Sequence, residues 1–163
     1  MAFDTTPVPH FLLDAQPYHE PWTITRAELA TMPRTSIVIR DSSDKRKRTY
    51  GGVRMYNLLE RAGAPLGKEL YGVALQTSIV ASGYVPGMKQ TVEVVYALAE
   101  FDPTSKCGEF ILADTVDGHP IDPDEGPFVL ISAADKTRKR WVPGLQWMMF
   151  HPGLEQPVRP GSE

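Results

Sequence analysis

Tyr50-Gly-Gly-Val-Arg-Met-Tyr-Asn-Leu-Leu-Glu-Arg-Ala-Gly63 is the stretch on which the fold turns. Tyr50-Gly51-Gly52-Val53 leads into a run where Met55, Leu58, Leu59 and Ala62 recur at i, i+3, i+4 and i+7. That spacing is one apolar stripe along a short helix. Gly63 stands where a left-handed residue closes a helix, and Pro65 follows it. So short a helix belongs on the flank of a sheet, and the strands lie to either side in sequence.

On the N-terminal side, Thr25-Arg26-Ala27-Glu28 reads as a capping box, with the Thr25 hydroxyl and the Glu28 carboxylate each serving the other residue's amide. The helix it opens runs through Leu29 to Met32 and stops at Pro33. Ser36–Arg40 is β-branched and predicts a strand, and Asp41–Arg48 a charged loop. On the C-terminal side, strands are predicted at 75–81 and 91–96, the latter with Val92, Val94 and Tyr96 on one face. Ala97–Phe101 fits one helical turn before Pro103. Strand-like runs at 110–113, 128–132, 140–142 and 145–150 alternate with Asp-Gly, Glu-Gly-Pro and Pro-Gly turns. The expected fold class is α+β: a mixed, partly barrel-like β-sheet with a few short flanking helices.

The 163 residues suit one domain with a self-sufficient core, and 13 glycines with 15 prolines argue for many short elements rather than long helices. Four prolines within residues 1–21 predict an irregular arm, draped over the domain through Phe11, Leu12, Leu13 and Tyr18. The domain proper is expected over 22–151, and a loosely ordered tail over 152–163. A net charge of −3 weighs against nucleic acid as a partner, since phosphate backbones call for a positive excess. No apolar run approaches a membrane span. The start has neither the basic segment nor the apolar stretch of an export signal, so the sequence as written is expected in the cytoplasm. Removal of a leader would make it periplasmic instead.

Self-evident catalytic motifs are absent: no phosphate-binding glycine loop, no His-Glu-x-x-His, no Gly-x-Ser-x-Gly. His10, His19, His119 and His151 share no metal-ligand spacing, and no metal ligand is assigned among them. The single cysteine, Cys107, forms no internal disulfide and is read as a free structural thiol in a loop beside Lys106. Asp114 to Glu125 is acidic without EF-hand spacing. Two basic runs, Lys45–Arg48 and Lys136–Arg140, read singly as solvated hairpin tips. If the fold brought them together they would form an anion pocket, because guanidinium forks match phosphate and carboxylate oxygens.

The order of segments over roughly 22–150 resembles the molybdopterin-dependent oxidoreductase domain of the sulfite oxidase-like family, in its short single-domain bacterial members. The pieces that carry it are Trp22–Leu29, Tyr50–Gly63, Ser82-Gly83-Tyr84, Ala97–Pro103, Ile111–Asp114, Asp117-Gly118, Gly126–Leu130, Ala134-Asp135-Lys136 and Arg140-Trp141-Val142. The resemblance implies an α+β domain that cradles molybdopterin, with a cysteine thiolate on molybdenum supplied just after the first strand. Here that stretch, Ile37–Ser43, contains no cysteine, and the family's Asp-Gly-Tyr is Ser82-Gly83-Tyr84. Soft thiolate is the donor this chemistry employs. The expectation is therefore a non-catalytic binder of a small anionic ligand or cofactor, molybdopterin or none, with Arg40, Tyr84, Lys136 and Arg138 as the binding residues and no catalytic residue. Two alternatives stand beside it: an active molybdoenzyme with oxygen ligation through Asp41, Ser42 or Ser43, and an interaction module without cofactor. Trp141 and Trp147 are read as core or sheet-face residues.

Overall fold

A computed structural model describes residues 8–153. Its ten strands divide between two sheets, and neither sheet closes into a barrel. The α+β class holds, whereas a single partly barrel-like sheet gives way to two.

The first sheet has the order β2-β1-β10-β5-β6, formed by β1 (His10–Asp14), β2 (Trp22–Thr25), β5 (Ser78–Val85), β6 (Gln90–Ala97) and β10 (Leu145–His151). All pairs are antiparallel except β1 with β10, which run parallel. The second sheet joins β3 (Arg34–Arg40), β4 (Lys47–Arg54), β7 (Phe110–Val116) and β8 (His119–Pro120), with β9 (Val129–Ser132) also paired to β7. Two short helices, α1 (Arg26–Leu29) and α2 (Met55–Arg61), follow β2 and β4 directly.

The arm expected over 1–21 departs from that reading. Residues 10–14 form a central strand, and Phe11 and Leu13 are fully buried. Alternation places both on the core face, where Phe11 meets Phe128 edge-on at 5.3 Å. Each such side chain contributes on the order of 1.5–3 kcal/mol by leaving water. Proline density predicted irregularity, but the prolines flank β1 rather than interrupt it. Residues 1–7 of the arm and 154–163 of the tail lie outside the described residues.

Elsewhere the local signals translate directly. The Thr25 hydroxyl accepts from the Glu28 amide at 3.3 Å. The reciprocal bond from the Glu28 carboxylate is not formed among the described residues. Met55, Leu58, Leu59 and Ala62 are all fully buried, and Gly63 takes φ +77 after α2. The strand expected at 75–81 begins at Ser78 and runs on to Val85, and the run at 140–142 contributes a single bridge, Leu130 to Val142.

In the second sheet β7 and β9 are buried on both faces, while β3 and β8 lie at its exposed edges. Val53, Leu112 and Leu130 join the main core with the first sheet and α2. Tyr50, Ile111, Ala113, Ile121, Val129, Ile131 and Trp141 form a second cluster on the opposite face. This explains the unbroken apolar runs of β7 and β9, which a one-sided sheet would not need. Among the described residues no helix is long and apolar enough to cross a membrane.

Candidate anion site

The two basic runs meet through Asp41, which bonds both Arg48 and Arg138, but no residue of Lys45–Arg48 lines the cavity beside them. β3 and β4 form a hairpin whose turn, Asp41–Arg46, closes with the Asp41 amide donating to the Arg46 carbonyl at 2.8 Å. The loop after β9 folds back against this turn, over the second apolar cluster. Between them lies a cavity of about 220 Å³ lined by Val38, Ile39, Arg40 and Ser42 from the hairpin and by Ala133, Asp135–Arg138 and Trp141 from the loop.

Asp41 is the clasp between the two segments. Its carboxylate accepts from the Ser43 amide (2.8 Å), the Ser43 hydroxyl (2.6 Å), Arg48 (2.9 Å) and Arg138 (3.0 Å). The Ser43 bonds foremost, then the nearby guanidinium charges, lower its pKa to about 2. Arg48 also pairs with Asp44 at 2.6 Å. Arg138 lies with its guanidinium carbon 4.5 Å above the centre of the Trp141 ring, and Tyr50 meets that ring edge-on at 5.5 Å.

Asp135 lines the same cavity, yet its charge is already matched. Arg140 donates to both of its oxygens at 2.8 and 3.1 Å, and the Ser132 hydroxyl adds a bond at 2.8 Å. The Arg140 bonds are the main reason its pKa falls. Arg140 also reaches Glu100 at 2.6 Å. With these pairs formed, Arg40 and Lys136 are the cavity cations that take part in no ion pair among the described residues. The cavity therefore carries an unbalanced positive charge in a chain whose net charge is −3.

Of the four residues expected to bind, the structure gathers Arg40, Lys136 and Arg138 and leaves Tyr84 apart. Tyr84 lines a separate depression with Pro86, Pro127 and Gly144, and its amide donates to the Gly144 carbonyl at 3.0 Å. Strand alternation is the cause. Val85, the next residue, faces a cavity shared with Arg138 and Trp141, so Tyr84 points the other way. In that neighbouring cavity burial pushes the Tyr50 hydroxyl pKa up, with Arg138 opposing the shift. Trp141 is buried, as a core reading required, but it also supplies the face on which Arg138 rests. The sequence placed Asp41 in a charged loop and, in one alternative, among possible oxygen ligands, but no local pattern announces a clasp across 97 positions.

The donor set has a clear chemistry. The cations suit phosphate or carboxylate oxygens, including the phosphate that molybdopterin carries. No thiol lines the cavity, and the Asp41 oxygens are already engaged by four donors. Cys107 is exposed in the loop between Pro103 and Phe110 and is not part of this lining. Among the described residues no three His, Cys, Asp or Glu side chains gather as a metal site. The residues present thus fit a phosphate and do not fit sulfur ligation of molybdenum. No family model matches this sequence, and no curated protein matches it either.

Proposed function

We propose that the protein binds a small anion, through phosphate or carboxylate oxygens, in the cavity between the β3–β4 turn and the 133–141 loop. In this reading it is a sulfite oxidase-like domain that has kept a cofactor-phosphate cradle and performs no redox chemistry through a protein thiolate. The observation that carries the reading is that Arg40 and Lys136 take part in no ion pair among the described residues, beside an Arg138 already oriented by Asp41 and Trp141. An anion entering there meets charges that no carboxylate among the described residues pairs with, and at least one guanidinium is held in place before binding.

Thermal denaturation with phosphate, pyrophosphate, sulfate and a pterin phosphate tests it. A ligand at a hundred times its Kd adds about 2.7 kcal/mol of stability. For a domain of this size that raises Tm by roughly 5–11 °C. The double charge reversal Arg40→Glu with Lys136→Glu should abolish the rise while leaving the ligand-free Tm nearly unchanged, because neither side chain holds the fold. No stabilisation by any of these anions at millimolar levels, or an undiminished rise in the double variant, would end the proposal. Molybdenum co-purifying in equimolar amount would overturn its non-redox part.

A further inference from the structure

We propose that a second, separate cavity takes a small aromatic carboxylate. This cavity, about 340 Å³, is lined by Tyr56, Phe101, Pro103 and Phe110, with Arg54, Lys106 and Glu109 among its polar residues. Its volume falls at the lower end of the range for small-molecule sites, and its wall of rings above a few polar groups is their usual composition.

The ring wall is fixed before any ligand arrives. Phe101 and Phe110 pack at 4.6 Å between centroids, and Tyr96 tilts against Phe101 at 5.4 Å and meets Phe110 edge-on at 5.7 Å. The Tyr96 hydroxyl donates to the Arg140 carbonyl. The Arg140 guanidinium, anchored by Glu100 and Asp135, sits 5.5 Å from the Tyr96 ring centre and 5.9 Å from that of Phe110. The loop along the other side is equally constrained. Asp102, almost wholly buried, accepts from the amides of Thr104 (2.9 Å) and Gly67 (2.6 Å), and the Ser105 amide donates to the Asp102 carbonyl at 3.0 Å. Gly108 at φ +91 lies so close to Ala134 that a Cβ there would fall 2.1 Å from the Ala134 side chain. Rings and loop that are ordered beforehand lower the entropic cost of binding.

Charge selects the ligand. Arg54 and Glu109 pair at 2.5 Å and cancel. Lys106, held at φ 58, takes part in no ion pair among the described residues, so the lining carries one net positive charge beside an apolar floor. A ring with a single carboxylate satisfies both features at once, with the ring against Tyr56, Pro103 and the small accessible edges of Phe101 and Phe110, and the carboxylate on Lys106. A highly charged phosphate would leave the apolar surface of Tyr56 and Pro103 uncovered, and a neutral ring would leave the ammonium unanswered.

The probe is 1-naphthoate, compared with neutral 1-naphthamide, by titration calorimetry and by the alkylation rate of Cys107. That thiol is exposed and lies between two residues of the lining, Lys106 and Gly108. Naphthoate should bind saturably and slow alkylation, with naphthamide about tenfold weaker, the loss expected when a charge-assisted hydrogen bond is forfeited. Lys106→Asn, which tolerates the left-handed backbone, and Lys106→Glu should each weaken naphthoate by about tenfold or more without lowering Tm. The Arg40→Glu, Lys136→Glu double variant should bind naphthoate normally, which separates this site from the anion cavity. Equal affinity for naphthamide, unchanged affinity in the Lys106 variants, loss in the double variant, or no saturable binding would each overturn the proposal.

Discussion

Replacing Gly52 with alanine should destabilise the protein by about 3 kcal/mol through contact alone. Gly52 lies in β4 where the register with β7 shifts by one residue, between the pairs Gly51–Thr115 and Gly52–Ala113. Such a bulge brings two backbones unusually close. A Cβ at Gly52 would stand 1.9 Å from the Leu112 carbonyl oxygen and 2.8 Å from the Ala113 Cα. Both neighbours are main-chain atoms, so no side chain can rotate away. β7 cannot retreat easily either, because β9 pairs with the same stretch, Phe110–Ala113, on its other edge. Relief requires β4 and β7 to part locally, which costs two or three ladder hydrogen bonds at about 1 kcal/mol each. For a chain of this size the expected fall in Tm is roughly 6–12 °C. Differential scanning calorimetry measures it, with Gly67→Ala as the control. Gly67 has a positive φ, +61, which Gly52 does not, and nothing lies within 4 Å of its would-be Cβ. It should lose only the left-handed penalty of about 1–2 kcal/mol. If Gly52→Ala melts no lower than Gly67→Ala, the close approach of β4 and β7 is wrong, and with it the register that sets the hairpin against the 133–141 loop.

Two further outcomes follow from the same packing. Phe11→Ala should cost about 3–5 kcal/mol in chemical denaturation, as expected of a fully buried ring in a central strand and not of a draped arm. Acid should weaken the protein through carboxylates whose pKa values are depressed on folding: Asp41, Asp44, Asp102 and Asp135. For Asp102 the Thr104 hydroxyl is the leading cause, with the Gly67 and Thr104 amides adding to it. A depressed pKa stabilises the fold above the unfolded aspartate value of about 4 and withdraws that support as pH falls through the lower, folded value. Asp102→Asn should therefore melt below the unsubstituted protein near neutrality, and the gap should narrow as the pH is lowered below about 4. A gap that stays constant with pH would refute the assignment.

Within elements, the code is local and the sequence was a good guide. The helical stripe Met55–Ala62, the Thr25 hydroxyl cap, the alternation of β6 and the strand character of 36–40 all depend on neighbours a few residues apart. The resemblance drew attention to Arg40, Lys136 and Arg138, and the presence of two basic runs made an anion pocket conceivable.

What the sequence by itself determined is therefore an α+β chain of short elements with cations on two loops. Tertiary structure alone decided that those loops touch, that Asp41 clasps Arg138, and that Arg140 engages Asp135, leaving Arg40 and Lys136 with no ion pair among the described residues. It alone turned residues 10–14 from an arm into a central strand and aimed Tyr84 away from the cavity. The physical reason is range. Backbone periodicity and capping act over one turn or one pleat and are written in consecutive residues. Charge pairing and strand register are settled between segments far apart in sequence, as in Leu12 opposite Trp147, where only the folded chain determines which groups meet.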